Sequence, residues 1–136
     1  MQIALKNAQI AYESGEIPVG ALIVSDNKVI SKAHNQVQLL QDPTAHAEML
    51  AITSACNFMG SKYLKDCTLY VTLEPCLMCA GAIKWAQIPT LVYGAKDTKA
   101  GYCSAHKLQL SHCHITYGVL QDSCSTLLKS FFAELR

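Results

Sequence analysis

Residues 68–93 read TLYVTLEPCLMCAGAIKWAQIPTLVY, and this stretch decides the fold. Its first part, residues 68–73, is short, apolar and rich in residues that favour strands, which predicts a buried strand. Residues 76–87 follow as a predicted helix, and residues 90–93 form a second strand-like segment that ends at Gly94. Strands that alternate with helices in this way indicate an α/β sheet covered by helices.

The segments on either side continue the alternation. The chain opens with a predicted helix, after which Asp26-Asn27 is a turn between two predicted strands. Outside residues 68–93, the predicted elements are a helix over 1–14, strands over 19–24 and 29–33, a helix over 45–58, a mostly irregular stretch over 95–114, a short strand over 115–117 and a helix over 123–135. Together they predict a mixed five-stranded sheet with helices on both faces, whose ligand sites lie at the carboxyl ends of strands.

Two short motifs flank the strand at 68–73 and carry residues that bind metal. The first is His46-Ala47-Glu48 and the second is Pro75-Cys76-Leu77-Met78-Cys79. A histidine and two cysteines are three ligands, which leaves one position of a tetrahedral zinc ion for water, as in catalytic zinc sites. Cys76 and Cys79 are three residues apart and share a helix face, and Pro75 suits the first position of that helix.

Glu48 is predicted to be the catalytic proton carrier rather than a ligand. Two thiolates and a neutral imidazole leave a zinc complex formally uncharged, so the metal is a weaker Lewis acid than zinc held by three histidines. A carboxylate that accepts the proton of the attacking water offsets this weakness. Because His46 and Glu48 would diverge in mid-helix, both can address one metal only from the first turn of a helix. The sequence therefore predicts a hydrolytic site between two helix starts.

A structural zinc site is the alternative interpretation of the same three residues. It needs a fourth protein ligand, and the candidates are Cys56, Cys67, Cys103, Cys113, His34, His106, His112 and His114. None of them has a second, closely spaced partner of the kind that structural sites usually contain. We therefore favour the open, catalytic site.

The composition is that of one compact domain over residues 1–136. Hydrophobic residues make up 51% of the chain, which is enough for a sizeable core, and no change in composition suggests a linker. No apolar run approaches the roughly 18 residues of a membrane span, and residues 1–10 do not form a signal peptide, so a soluble, cytoplasmic protein is expected. The net charge of +1 neither indicates nor excludes a nucleic-acid partner.

Longer blocks around the two motifs resemble one family. The blocks are residues 15–21, 34–35, 42–48, 69–82 and 94–99, and together with 118–120 and 131–132 they extend over nearly the whole chain. They are similar to the bacterial tRNA-specific adenosine deaminases of the TadA type, whereas the two short motifs alone would fit any cytidine deaminase-like enzyme. The resemblance implies a three-layer αβα, cytidine deaminase-like fold, a homodimer, and hydrolytic conversion of the wobble adenosine in a tRNA anticodon loop to inosine.

The resemblance also implies roles for single residues. The ligands of one Zn²⁺ per subunit would be His46, Cys76 and Cys79, and the catalytic proton carrier would be Glu48. Substrate contacts are implied for Asn35, Ala47, Asp97 and Lys99, of which Asn35 would hold the target nucleotide while Asp97 and Lys99 would face the RNA loop. Residues 101–117 depart from the family pattern, because the segment is shorter and lacks an asparagine-histidine pair.

Two other functions remain open at this point. A deaminase of a free base or nucleoside such as guanine would share the zinc site and Glu48, although cytidine deaminases usually carry cysteine where His46 stands. A catalytically silent RNA-binding subunit is the other, and the intact Glu48 argues against it. Among the supporting residues, Asn35 could simply close a turn after its strand. Glu74 is expected to pair locally or to cap the following helix.

Overall fold

The computed structural model describes residues 1–135, in which five strands form one sheet with helices on both faces. In chain order the elements are α1 (Gln2–Glu13), β1 (Gly20–Ser25), β2 (Lys28–His34), α2 (Val37–Leu40), α3 (Ala47–Met59), β3 (Cys67–Leu73), α4 (Leu77–Trp85), β4 (Thr90–Ala95), β5 (His114–Tyr117) and α5 (Gln121–Glu134).

The sheet is mixed, with the strand order β2-β1-β3-β4-β5. β1 runs antiparallel to β2 and to β3, whereas β3, β4 and β5 are parallel to one another. Four strands therefore end at the same edge of the sheet, because β2 also has the direction of β3. The motif at residues 75–79 directly follows β3 at this edge, and the motif at residues 46–48 faces it at the start of α3, as the sequence predicts.

Helices α1 and α5 pack on one face of the sheet, and α3 packs on the other face with α4 beside it. This arrangement confirms the predicted three-layer αβα fold. The main core lies under α3 and α4, where Leu69, Ile83 and Leu91 are fully buried. On the opposite face, Gly94 lets α5 approach β4, because a Cβ at this position would lie 2.6 Å from Sγ of Cys124.

The two helices that carry the metal-binding motifs begin slightly later than predicted. α3 starts at Ala47 instead of residue 45, and α4 starts at Leu77 instead of residue 76. His46 and Cys76 have extended backbone conformations and act as the N-cap residues. Pro75 therefore precedes the cap and does not occupy the first helical position, which corrects the sequence-based placement.

The short helix α2 is absent from the sequence-based prediction. Its four residues are too few to show a helical repeat of apolar side chains. It forms because the buried carboxylate of Glu16 accepts hydrogen bonds from the backbone N–H groups of Gln38 and Leu39, at 3.0 and 2.9 Å. Of the helices within residues 1–135, none combines the length and the apolar character that crossing a membrane requires.

Candidate metal centre

The two metal-binding motifs meet at the sheet edge where β2, β3 and β4 end. His46 caps the start of α3 and Cys76 caps the start of α4, so both side chains lie next to the first turn of their helix. Cys79 is the third residue of α4 and is fully buried. The ligand atoms of the three residues all lie within 4.8 Å of one another. Two helix N-termini therefore converge on one group of ligands, as predicted.

The spacing of these ligand atoms fits tetrahedral coordination. Nδ1 of His46 lies 3.6 Å from Sγ of Cys76 and 3.6 Å from Sγ of Cys79. Zinc–nitrogen bonds of about 2.0–2.1 Å and zinc–sulfur bonds of about 2.3 Å, joined at a tetrahedral angle, place nitrogen and sulfur about 3.6 Å apart. Both nitrogen–sulfur distances therefore fit a metal ion held at three tetrahedral corners.

The two thiols differ in how readily they lose a proton. Hydrogen bonds from Cys79 and from His46 lower the pKa of the Cys76 thiol to about 3. The hydrogen bond to Cys76 raises the pKa of the Cys79 thiol, and burial and the negative charge of Glu48 raise it further. Coordination through both sulfurs requires both thiols to lose their protons, so a metal ion would displace a proton from Cys79.

The ligand group contains three residues and not the four of a structural zinc site. Among residues 1–135, no other histidine, cysteine, aspartate or glutamate joins the group. His106, His112 and His114 are exposed residues away from it. Three protein ligands would leave one tetrahedral position open, an arrangement that is typical of catalytic rather than structural zinc sites.

Glu48 is the second residue of α3 and its side chain is only 4% exposed. Burial raises the pKa of its carboxyl group, although the charge of His46 partly opposes this effect. A carboxyl group with a raised pKa takes up and releases protons nearer to neutral pH than an ordinary glutamate. Its place in the first turn, next to the ligands, suits a residue that moves protons at the metal centre.

Asn35 follows the last residue of β2 and is buried. Its side-chain oxygen accepts the backbone N–H of Ala47 at 2.7 Å. This N–H is the first of α3, so Asn35 satisfies one of the donors that a helix start leaves without an intrahelical partner. Ala47 itself is fully buried. The sequence-based alternative, in which Asn35 closes a turn, does not describe this longer-range contact.

Asp97 and Lys99 lie just past β4 on the same edge of the sheet. The side-chain oxygen of Asp97 accepts the backbone N–H groups of Lys99 and Ala100, both at 3.1 Å, and so shapes the turn. Lys99 is exposed. The structure therefore presents the Lys99 side chain to solvent and uses the Asp97 carboxylate within the loop.

The contacts of Glu74 differ from those that the sequence predicts. Instead of pairing locally or capping α4, it accepts hydrogen bonds from residues 97, 103 and 104, more than twenty positions away. Burial alone would raise the pKa of Glu74, but the hydrogen bonds from Ser104, Asp97 and Cys103 outweigh it and hold the pKa below its usual value. One sequence signal could have indicated an unusual role, namely a charged residue that directly follows an apolar strand and precedes Pro75.

The sequence model of the MafB19-like deaminases matches residues 1–136, the full length of the chain. The chain belongs to this family.

The names of individual relatives of this MafB19-like deaminase are more specific than the description of the family. The chain is 46% identical to a tRNA-specific adenosine deaminase of Aquifex aeolicus, over all of this chain and 93% of the relative. A tRNA-specific adenosine deaminase of Bacillus subtilis is 43% identical, over all of this chain and 88% of the relative. The resemblance that the sequence blocks predict is thereby confirmed.

A solved structure agrees with the fold. It comes from a study of A-to-I editing by tRNA:A34 deaminases at the wobble position of transfer RNA. It superposes on this chain with a TM-score of 0.86 at 40% identity, covering 94% of this chain and 97% of the other. The three-layer fold with its mixed five-stranded sheet is therefore that of the tRNA deaminases, and this member of the family is a hydrolase that removes an amino group.

Proposed function

We propose that this deaminase converts the wobble adenosine of a tRNA anticodon loop to inosine with release of ammonia, using one zinc ion per subunit. The observation that carries the proposal is the open three-ligand centre with the buried carboxylate of Glu48 beside it. Its full-length similarity to tRNA-specific adenosine deaminases supports adenosine in RNA as the substrate. In this proposal residues 1–136 form one zinc-dependent nucleotide deaminase domain.

The zinc ion would be held by His46, Cys76 and Cys79. When bound, zinc supplies the Lewis acid that makes water nucleophilic at neutral pH. Glu48 would accept one proton of the attacking water and pass it to N1 of the purine ring, then take the proton of the new C6 hydroxyl group and pass it to the amino group, which leaves as ammonia. The raised pKa of its carboxyl group suits both steps, because the group must hold a proton between them.

Asn35 would orient the target nucleotide. The hydrogen bond to Ala47 occupies its side-chain oxygen and leaves the amide group to donate to the nucleotide. Ala47 would contact the substrate from the floor of the site, where its small side chain leaves room for the purine. Asn35 would thus connect the substrate to the helix that carries Glu48.

The RNA substrate follows from the energetics of reaching a base. Extracting a base from a duplex costs a few kcal/mol, and the cost is least where the base is already single-stranded, as in an anticodon loop. Lys99, with Asp97 at its turn, would contact the RNA next to the metal centre, since phosphate contacts by lysine position a nucleic acid. We also propose a cytoplasmic location, because tRNA is used there.

The homodimer would form through the outer surfaces of α3 and α4. Phe58 and Trp85 are 69% and 82% exposed there, which is unusual for large apolar side chains. A groove of about 400 Å³ lies beside Trp85, and its other lining residues are mainly apolar, with Tyr63 and Lys62 among them. A second copy of the chain is the occupant that we propose, because both helices also carry the metal ligands and a dimer would place two sites near one interface.

The test is an assay of inosine formation in one defined anticodon stem-loop with adenosine at the wobble position. Free adenosine, free guanine and a stem-loop with guanosine at that position serve as comparisons. We expect inosine only in the adenosine-containing RNA. Consumption of free guanine with the RNA untouched would assign the protein to the free-base deaminases, and zinc binding without ammonia release from any substrate would favour a silent binding subunit.

A further inference from the structure

Glu74 is a buried charged residue beside the metal-binding motif that the proposed reaction does not use. It follows β3, directly precedes Pro75 and Cys76, and is only 2% exposed. Its carboxylate accepts the backbone N–H groups of Asp97, Cys103 and Ser104 at 3.1, 2.9 and 2.9 Å, and the hydroxyl of Ser104 at 2.5 Å. A buried charge that is satisfied in this way fixes the groups that surround it, because leaving it unpaired is costly.

All four donors belong to residues 97–104, which we call the clasp segment. The clasp segment also contacts the start of the metal-binding helix, because the N–H of Tyr102 donates to the carbonyl oxygen of Pro75 at 2.8 Å. Cys76 and Gly101 form an isolated antiparallel bridge. The clasp segment therefore binds both to Glu74 and to the backbone of the metal ligand Cys76.

Gly101 shows how closely the clasp segment surrounds the carboxylate. A Cβ at this position would overlap the carboxylate of Glu74 and the carbonyl oxygen of Asp97. Any residue other than glycine would therefore push the clasp segment and Glu74 apart. The backbone of Gly101 does not need a positive φ, so the requirement comes from space and not from conformation.

We propose that Glu74 is a positioning residue that holds the clasp segment against the start of α4, so that Lys99 faces the RNA at a fixed distance from the metal centre. The proposal rests on the tRNA deaminase function given above. Glu74 is not a catalytic acid, because its carboxylate is buried and its oxygens already accept four hydrogen bonds. It acts on the substrate only through the clasp segment.

Three substitutions test this link in different ways. Glu74→Gln keeps the size of the side chain but turns one acceptor into an N–H₂ group, which faces the N–H donors of the clasp segment. Ser104→Ala removes a single hydrogen bond. Gly101→Ala keeps the carboxylate of Glu74, but the added methyl group pushes the carboxylate and the clasp segment apart. Glu13→Gln, at an exposed carboxylate on α1, is the matched control.

The readouts separate positioning from general stability. We expect Glu74→Gln and Gly101→Ala to raise KM for the anticodon stem-loop about tenfold, with kcat changed by less than about threefold and zinc content unchanged. Ser104→Ala should raise KM in the same direction by a smaller factor. Amide hydrogen exchange at residues 97, 103 and 104 should accelerate in the first two variants, while Glu13→Gln should match the wild type in all measurements.

The outcomes distinguish this proposal from the proposed function. An unchanged KM in both Glu74→Gln and Gly101→Ala, or a fall in kcat and zinc content with KM constant, would show that Glu74 only supports the fold. If the wild type fails to deaminate the stem-loop, the substrate assignment is wrong, and unchanged amide exchange in the variants would then refute the clasp as well. Should Glu74→Gln not fold, Gly101→Ala and Ser104→Ala decide the question.

Discussion

The side-chain oxygen of Asn35 accepts the N–H of Ala47 at 2.7 Å, which connects the end of β2 to the first turn of α3. The same turn carries Glu48, and His46 immediately precedes it. One buried side chain therefore caps the helix that begins beside the proposed metal ligand His46 and carries the proposed proton carrier Glu48, and its amide group would remain for the substrate. The two roles of Asn35 can be separated by substitution.

Asn35→Asp should keep the helix cap and lose the substrate contact. A carboxylate still accepts the N–H of Ala47, and its charge suits a helix N-terminus, which offsets part of the cost of burying it, so the loss of thermal stability should be smaller than in Asn35→Ala. The loss of the amide donor should lower kcat/KM for the stem-loop. Asn35→Ala, which removes both functions, should in addition lower the free energy of unfolding by about 1 kcal/mol. Wild-type activity in Asn35→Asp would exclude the proposed contact with the nucleotide.

Glu48→Ala should bind one zinc ion per subunit and yet be inactive. The carboxylate is not among the three ligands, so metal content should not depend on it. Loss of general acid and base catalysis should lower kcat by a factor of about 10² to 10⁴. The measurement is zinc content together with single-turnover inosine formation, with Glu48→Gln as the isosteric control. An active Glu48→Ala protein would mean that another group moves the protons.

Cys76→Ala should abolish zinc binding and activity together. Two ligands remain, which is too few for a tight site, and the loss cannot be restored by added zinc. Removal of the metal from the wild type with a chelator should, in contrast, be reversible. Cys103→Ala is the control, since Cys103 is an exposed cysteine outside the ligand group. Stoichiometric zinc in Cys76→Ala would show that this residue is not a ligand.

The grouping of His46, Cys76 and Cys79 could be predicted from the sequence because it depends on two short motifs. Cys76 and Cys79 are three residues apart, and His46 and Glu48 are two apart, so each motif is visible without the fold. The alternation of strands and helices then brings the two motifs to one edge of the sheet. Local spacing also misplaces the helix starts by a residue or two, because periodicity does not reveal which residue adopts the extended conformation of a cap.

The contacts that the sequence does not reveal are those made over long separations. Glu74 binds the clasp segment more than twenty residues later, and Glu16 caps α2 more than twenty residues later. Both are glutamates that sequence patterns would place on the surface, since buried carboxylates are rare unless they are paired. Apart from the hydroxyl of Ser104, their partners are backbone N–H groups, which leave no trace in the type of residue at the partner position.

Trp85→Glu should convert the proposed dimer into a monomer. Trp85 is the most exposed large apolar side chain on α4, and tryptophan often contributes most to the stability of an interface. A charge in its place, buried against a second copy, should weaken association by about 2 kcal/mol or more, or about 30-fold in the dissociation constant. Sedimentation velocity across a concentration series measures this change.

Ile10→Glu, at an exposed apolar position on α1 and on the opposite face of the sheet, should leave the dimer intact. A monomeric wild type, or a Trp85→Glu protein as dimeric as Ile10→Glu, would contradict an interface at α3 and α4.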